Sequence, residues 1–329
     1  MTEPAIESAA EPAAGLFRFS LEGRRAPALF VTGWLATIIG AATTGVGFAS
    51  SPGGAALLLA AVGLALLSLG LVLLGGSQTV ERAGAGLAYA GPSPVLVFLA
   101  VVAVSLFLAI VIGAVLSSAS VTLPLPVGDL ISTAIQALVF VGVVQLIVIG
   151  TGALRWSDMG FAIGARQAAE ALARGALLAA PVVILTYAVG YVVVTIAGVT
   201  PSSPLPATGT LSGLVLHLLA GAIVAPIAEE VLFRGFMVTA WARSNGPRAA
   251  IIRAALLFAT AHVLLIGGDN FGQAASLAFV GAVGRLPVAL ALGWLYLRSR
   301  TIWAPIGLHA AFNAILLIAA ELATGSLGS

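Results

Sequence analysis

Two adjacent carboxylates, Glu229 and Glu230, stand inside the apolar run from Leu211 to Trp241, with Arg234 one helical turn further on. An acid at the centre of a membrane helix costs roughly 2.5–3.5 kcal/mol on insertion scales, so such groups usually line a cavity and do a job there. Glu230 and Arg234 are spaced i, i+4, which puts them on one helical face within pairing reach. Glu229 then points about 100° away and is left free for other work. Two more apolar runs add His262, in Phe-Ala-Thr-Ala-His, and His309 with Asn313, in His-Ala-Ala-Phe-Asn, the last two again sharing a face. A carboxylate with imidazoles in a partly dry site suits the activation of water, the carboxylate taking a proton and returning it to a leaving amine. Alternatively, Glu229, His262 and His309 hold Zn²⁺ or another divalent metal with a position open for water. Both routes end in hydrolysis, and they differ in whether Glu229 is a base or a ligand. The plainer alternative is that the charged residues mark the wetted end of a helix.

The elements that must position these groups are membrane spans. Of 329 residues, 60% are hydrophobic and 8% charged, and the mean hydropathy is +1.14. Apolar runs of about 20 residues match a hydrocarbon core of roughly 30 Å at about 1.5 Å per helical residue. Lipid-facing backbone must satisfy its own hydrogen bonds, and no alternating ten-residue segments suggest a barrel. The expected fold is all-α, a polytopic transmembrane helix bundle of eight to nine spans. Nine candidate runs lie at 27–49, 54–75, 94–116, 129–150, 175–198, 211–241, 249–267, 274–297 and 302–321. All 14 basic residues are arginine, and counted alternately across these runs they gather on one side. Arg18, Arg24 and Arg25, then Arg82, then Arg155, Arg166 and Arg174, then Arg243 and Arg248, then Arg298 and Arg300 mark that side as cytoplasmic, with the N-terminus. The opposite loops, near Ser51, Ser118, Ser202 and Asn270, contain none.

Depth follows from the same count. From the cytoplasmic ends, His262 lies roughly 16 Å deep, His309 roughly 12 Å, and Asn313 and Glu229 roughly 18 Å. Groups from three runs thus reach one layer, which argues against the wetted-end alternative. His217 lies about 18 Å from Glu229 toward the other face and reads as structural. Arg285, at a depth close to that of Glu229, either pairs within the bundle or holds a substrate carboxylate.

The sequence divides into a mobile cytosolic tail (1–25), a four-span region without an assigned role (26–150) and an amphipathic cytoplasmic connector containing Arg-Trp-Ser-Asp-Met-Gly-Phe (151–174). A catalytic membrane domain (175–322) and a short tail (323–329) follow. Glu3, Glu7 and Glu11 spoil the basic region a cleaved signal peptide needs. Absence of cysteine excludes disulfides, thiolate ligands and a cysteine nucleophile. A net charge of +2 is too small to suggest nucleic acid. No internal repeat appears, which weighs against common transporter architectures.

The motifs resemble those of the CPBP family, the membrane-embedded CAAX protease and bacteriocin-processing type, also called the type II CAAX prenyl endopeptidase or Abi family. Its E-E-x-x-x-R is matched by Glu229, Glu230 and Arg234, its F-x-x-x-H by Phe258 and His262, and its H-x-x-x-N by His309 and Asn313. The resemblance covers roughly Leu211 to Ile318. It implies peptide-bond hydrolysis within the membrane of a membrane-associated protein or peptide, prenylated or leader-bearing. Glu229 and His262 would activate water, His309 and Asn313 would stabilise the oxyanion, and Glu230 with Arg234 would support the site. It also implies a multi-pass protein of a prokaryotic plasma membrane, and leaves open a metalloprotease or a metal-independent glutamate protease. No H-E-x-x-H appears, no G-x-S-G nucleophile is convincing, and Gly268-Asp269 has no membrane-embedded partner aspartate. The rival classes are a proton-coupled transporter using the same residues as a relay, and a non-catalytic membrane scaffold or immunity protein.

Overall fold

A computed structural model describes residues 19–201 and 205–324. Most of the tail 1–25, nearly all of the tail 323–329, and Ser202 lie outside the described residues. The described regular structure is entirely helical. Eight helices are long and apolar enough to cross a membrane: Pro27–Ala49 (α1), Gly54–Gly84 (α2), Pro94–Ser118 (α3), Leu125–Ile149 (α4), Ala165–Ala197, Leu211–Asn245, Phe271–Ser299 and Trp303–Ala323. The fifth is two helices, Ala165–Leu177 (α5) and Ala179–Ala197 (α6), meeting at Leu178. The sixth is designated α7.

The run 249–267 is not a ninth span of that kind. Its helix, Pro247–Ala261 (α8), has 15 residues and stops at His262. The apolar residues Val263–Leu265 that prolong the run in sequence are turn, so hydropathy overstated the helix. Phe271–Ser299 (α9) and Trp303–Ala323 (α10) complete the chain.

The chain forms two compact units, Met1–Ile112 with Leu146–Ala153, and Gly113–Gln145 with Leu154–Ser329. In the first, α1 and α2 meet backbone to backbone along glycines seven residues apart, Gly33, Gly40 and Gly47 facing Gly63 and Gly70. A Cβ at Gly70 would lie 2.5 Å from the Thr37 amide, and one at Gly40 or Gly63 would collide with partner backbone. Small residues are what allow helices to approach so closely where the solvent is as apolar as the side chains. Helix α2 continues nine residues beyond the run ending at 75, since its polar end is used internally. The buried Glu81 accepts from the amides of Arg25 (2.9 Å) and Ala26 (3.4 Å) and so caps α1.

In the second unit α4 packs along α7, so the fourth span belongs with the second half of the chain rather than with a four-span N-terminal region. Asp129 of α4 meets the buried His217 of α7, Oδ2 to Nε2 3.0 Å. Helices α5 and α10 cross at Gly175 and Gly307, where a Cβ on either glycine would collide with the Ala304 or Leu172 carbonyl. The connector docks on the start of α10. Gly160, at φ +82°, turns its carbonyl to accept from Thr301 Oγ1 (3.1 Å) and the Ile302 amide (3.3 Å). Phe161 stands edge-on between Trp156 and Trp303, at 5.2 and 5.8 Å between ring centroids, and Asp158 pairs with Arg243 of α7 at 3.1 Å.

Candidate active site

Helix α7 carries the carboxylates through an irregular stretch. It is π-helical over Leu219–Val224, α-helical over Ala225–Glu229 and π-helical again over Glu230–Val238. Pro226 has no N–H to offer the carbonyl four residues back, which favours a wider register just before it. Such widened turns re-aim side chains and recur at functional sites. Here the junction falls between the two acids.

Glu230 is fully enclosed, with a side-chain exposure of 0%, and its Oε1 receives two charge-assisted hydrogen bonds. One comes from Arg234 Nη1 at 2.7 Å and the other from His309 Nδ1 at 2.8 Å. Arg234 also donates through Nη2 to the Ala289 carbonyl of α9 (3.2 Å). Its guanidinium carbon lies 4.6 Å from the centre of the Phe258 ring, in cation–π range. This buried network ties α7, α9 and α10 to one another, with α8 packed on it through Phe258. Removing one member would strand a charge in a dry environment.

Glu229 differs in being partly exposed, at 15% of its side chain; like Oε2 of Glu230, its buried Oε2 has no protein hydrogen bond. That oxygen faces both histidines, 3.7 Å from His309 Nε2 and 3.9 Å from His262 Nε2. Each imidazole is anchored from behind. His262 Nδ1 lies 2.8 Å from the Phe258 carbonyl and His309 Nδ1 lies 2.8 Å from Glu230. A carbonyl and a carboxylate only accept, so both Nδ1 atoms carry hydrogen and both rings turn Nε2 toward Glu229. Phe258 is the common support, its ring 4.5 Å from that of His262 and 5.7 Å from that of His309.

Asn313 stands one turn beyond His309 on α10 and donates from Nδ2 to the Gly221 carbonyl, 2.7 Å away in the first π-helical segment of α7. One of its two N–H groups is thereby committed. Of the six residues singled out in the sequence, five thus share contacts around the Glu229–Glu230 step, and Asn313 pins the neighbouring turn.

Sequence reasoning overlooked Phe258 as a structural hub, Ala289 as an acceptor and Asp129 as the partner of His217. The last two contacts join residues 55 and 88 positions apart, which no local spacing reveals.

The same geometry tests a metal. Anchored imidazoles with free Nε2 atoms are the usual arrangement of ligating histidines. The 3.7 and 3.9 Å separations, however, exceed the roughly 3.3 Å between ligand atoms around tetrahedral zinc with bonds of about 2.0–2.1 Å. Among the described residues no group of three or more His, Asp and Glu is gathered to hold a metal ion.

The three motif elements therefore meet in space as well as in order along the chain. Residues 211–315 match the family model described as type II CAAX prenyl endopeptidase Rce1-like. No curated protein and no solved structure matches the chain. The Rce1-like segment takes up about a third of the sequence and contains every residue of the Glu229 cluster. It supports, at the level of the family, a CAAX-type intramembrane endopeptidase, and with eight apolar helices it makes this an integral, multi-pass membrane protein.

An apolar surface groove of about 500 Å³ is bounded by Leu172 and Ala176 of α5, Leu218 and Ala222 of α7, and Ala310 and Ala314 of α10, with none of the Glu229 cluster among its lining residues. Two of these residues adjoin His309 and Asn313 in sequence.

Proposed function

We propose that this protein hydrolyses a peptide bond in a membrane-associated substrate, with water activated by Glu229. The observation that carries the proposal is the single buried Oε2 of Glu229 facing two anchored imidazoles. A water hydrogen-bonded there gives a proton to Glu229 while its oxygen attacks the scissile carbonyl, with His262 Nε2 accepting the other hydrogen and fixing the water's orientation. His309, carried as an imidazolium paired with the Glu230 carboxylate, donates from Nε2 to the developing oxyanion and keeps that proton throughout the cycle. The uncommitted N–H of Asn313 is the second donor. Collapse of the tetrahedral intermediate breaks the C–N bond, and Glu229 returns its proton to the leaving amine. Glu230 and Arg234 act as positioning residues. A transporter relay would need no such convergence on one carboxylate oxygen.

Metal-assisted hydrolysis is the second reading, favoured by the Nδ1 anchoring of both histidines. Glu229, His262 and His309 would be the ligands, and the ion would supply Lewis-acid polarisation of the water. The apolar groove along α10 suits a lipid-modified or otherwise membrane-bound substrate.

The test compares membrane proteomes of cells carrying the wild-type protein or Glu229→Gln, with chelator and without. New peptide termini present only with the wild type are the expected result, and chelator-insensitive cleavage supports water activation without a metal. Identical terminal profiles in the two strains would contradict the proposal.

A further inference from the structure

Apart from the apolar groove, a cavity of about 360 Å³ lies between the connector and the arginine-bearing ends of α7 and α9. Its walls include Asp158 and Gly160 of the connector, Thr239 and Arg243 of α7, Tyr296 of α9, and Arg300, the residue that caps α9. None of the Glu229 cluster borders it. Thr239 stands ten residues past Glu229, roughly 15 Å along α7. Hydrolysis at Glu229 gives this cavity no part.

The strong acceptors in its walls are already engaged. Asp158 takes the Arg155 amide on Oδ2 (2.8 Å) and Arg243 Nη2 on Oδ1 (3.1 Å), while the Gly160 carbonyl accepts from Thr301 and from the Ile302 amide. Donors, by contrast, are in surplus. The hydroxyls of Thr239 and Tyr296, residues 8% and 5% exposed, lie 2.6 Å apart. One hydrogen sits between them, and the other has no acceptor among the described residues. The Arg300 guanidinium has no hydrogen-bond or ion-pair partner among the described residues, so two arginines against one aspartate leave the cavity a net positive charge. Arg300 also adopts φ +56°, the left-handed position at a helix end that glycine usually takes, its amide donating to the Tyr296 carbonyl at 2.9 Å. A long cationic side chain is thus held at the rim by a backbone conformation that disfavours side chains.

We propose that this cavity is a phosphate-binding site. Surplus donors and a net positive charge call for a ligand with several acceptor oxygens and negative charge, and a guanidinium meets phosphate with two parallel hydrogen bonds. The position of the cavity favours the headgroup of an anionic phospholipid as the source. It lies where α7 and α9 end, on the side that gathers the arginines. Trp294, 55% exposed on α9, stands about 9 Å from Arg300 along the helix, the level at which tryptophans line a membrane surface. Basic pockets between membrane helices bind lipid headgroups. A phosphate seated here joins the connector to α7 and α9 beside the Asp158–Arg243 pair, so its effect falls on the stability of the helical frame and not on bond breaking.

The test uses the full-length protein in phosphatidylcholine nanodiscs containing graded fractions of phosphatidylglycerol at fixed ionic strength. Bound phosphatidylglycerol is counted by native mass spectrometry, and thermal unfolding is followed in parallel. Two variants are compared with the wild type. Arg300→Gly removes the guanidinium and suits the left-handed backbone, whereas Arg298→Gln removes a neighbouring charge that does not border the cavity. Both arginines stand at the negative end of α9, so a role confined to the helix dipole would treat them alike. In pure phosphatidylcholine, Arg300→Gly is expected to unfold at or above the wild-type temperature. It should nevertheless bind phosphatidylglycerol roughly ten- to hundred-fold more weakly, while Arg298→Gln keeps wild-type binding. A second arm adds inorganic phosphate to pure phosphatidylcholine nanodiscs, with chloride at equal ionic strength as the reference. Arg300-dependent stabilisation by phosphate, without a preference for phosphatidylglycerol, would support the site and assign it to a soluble phosphate. Equal weakening in the two variants, or no Arg300-dependent binding of either ligand, overturns the proposal.

Discussion

Glu229 and Glu230 differ by one position and by almost everything else. Glu230 shares one oxygen between Arg234 and His309 and has no exposure, whereas Glu229 turns an unpaired oxygen toward two imidazoles. Their substitutions should separate accordingly. Glu229→Gln is expected to fold with an unfolding midpoint near that of the wild type and to lose activity by about 10²–10⁴-fold or more, as loss of a general base does. Arg234→Met or Glu230→Gln should instead cost about 3–5 kcal/mol of stability by stranding a buried charge, measured by denaturant unfolding in detergent. The double variant Glu230→Gln/Arg234→Met should recover part of that loss. Much of this split was readable beforehand, since i, i+4 spacing pairs Glu230 with Arg234 on any helix. The anchoring of His309 by Glu230 was not, because it spans 79 residues and depends on how α10 meets α7.

At the scale of elements, the cluster holds its shape because a few close contacts fix where each helix lies. The crossing of α5 and α10 admits only glycine at positions 175 and 307. Gly307→Val should therefore push α10 away and move His309, two residues on. The expected result is loss of activity together with a lowered unfolding temperature, while Ala310→Val on the same helix should be milder. The connector adds a clamp sensitive to acid. Partial burial acts to raise the Asp158 carboxyl, but the Arg155 amide and the Arg243 guanidinium outweigh it and hold the group below its ordinary 3.8. A depressed carboxyl contributes stability that is present above its unfolded value and disappears as pH falls through the folded one. Stability should therefore drop below about pH 4, and Asp158→Asn should flatten that part of the curve, as followed by thermal unfolding across pH. Helix number was legible from hydropathy and helix irregularity was not. The helix containing the His262 run stops short at His262, and of the π-helical turns only the one before Pro226 has a sequence cue, the proline itself.

For the molecule as a whole, the division into compact units places most of the fourth span in the unit that holds the Glu229 cluster. Asp129 and His217 make that attachment polar as well as apolar, so Asp129→Asn should destabilise the protein by about 1–3 kcal/mol without altering the chemistry at Glu229. Hydropathy read the second half as helical membrane spans, and the motifs picked out Glu229, His262 and His309, which meet in the structure. Neither could show that α4 packs there, since that information resides in a tertiary contact. The central claim is that Glu229 activates water among His262, His309 and Asn313. Its most direct test is single-turnover cleavage of a prenylated C-terminal peptide by the purified protein in H₂¹⁸O, comparing the wild type with Glu229→Gln. The account predicts one ¹⁸O in the newly formed carboxylate with the wild-type protein and no product with the variant. Undiminished cleavage by Glu229→Gln would contradict it.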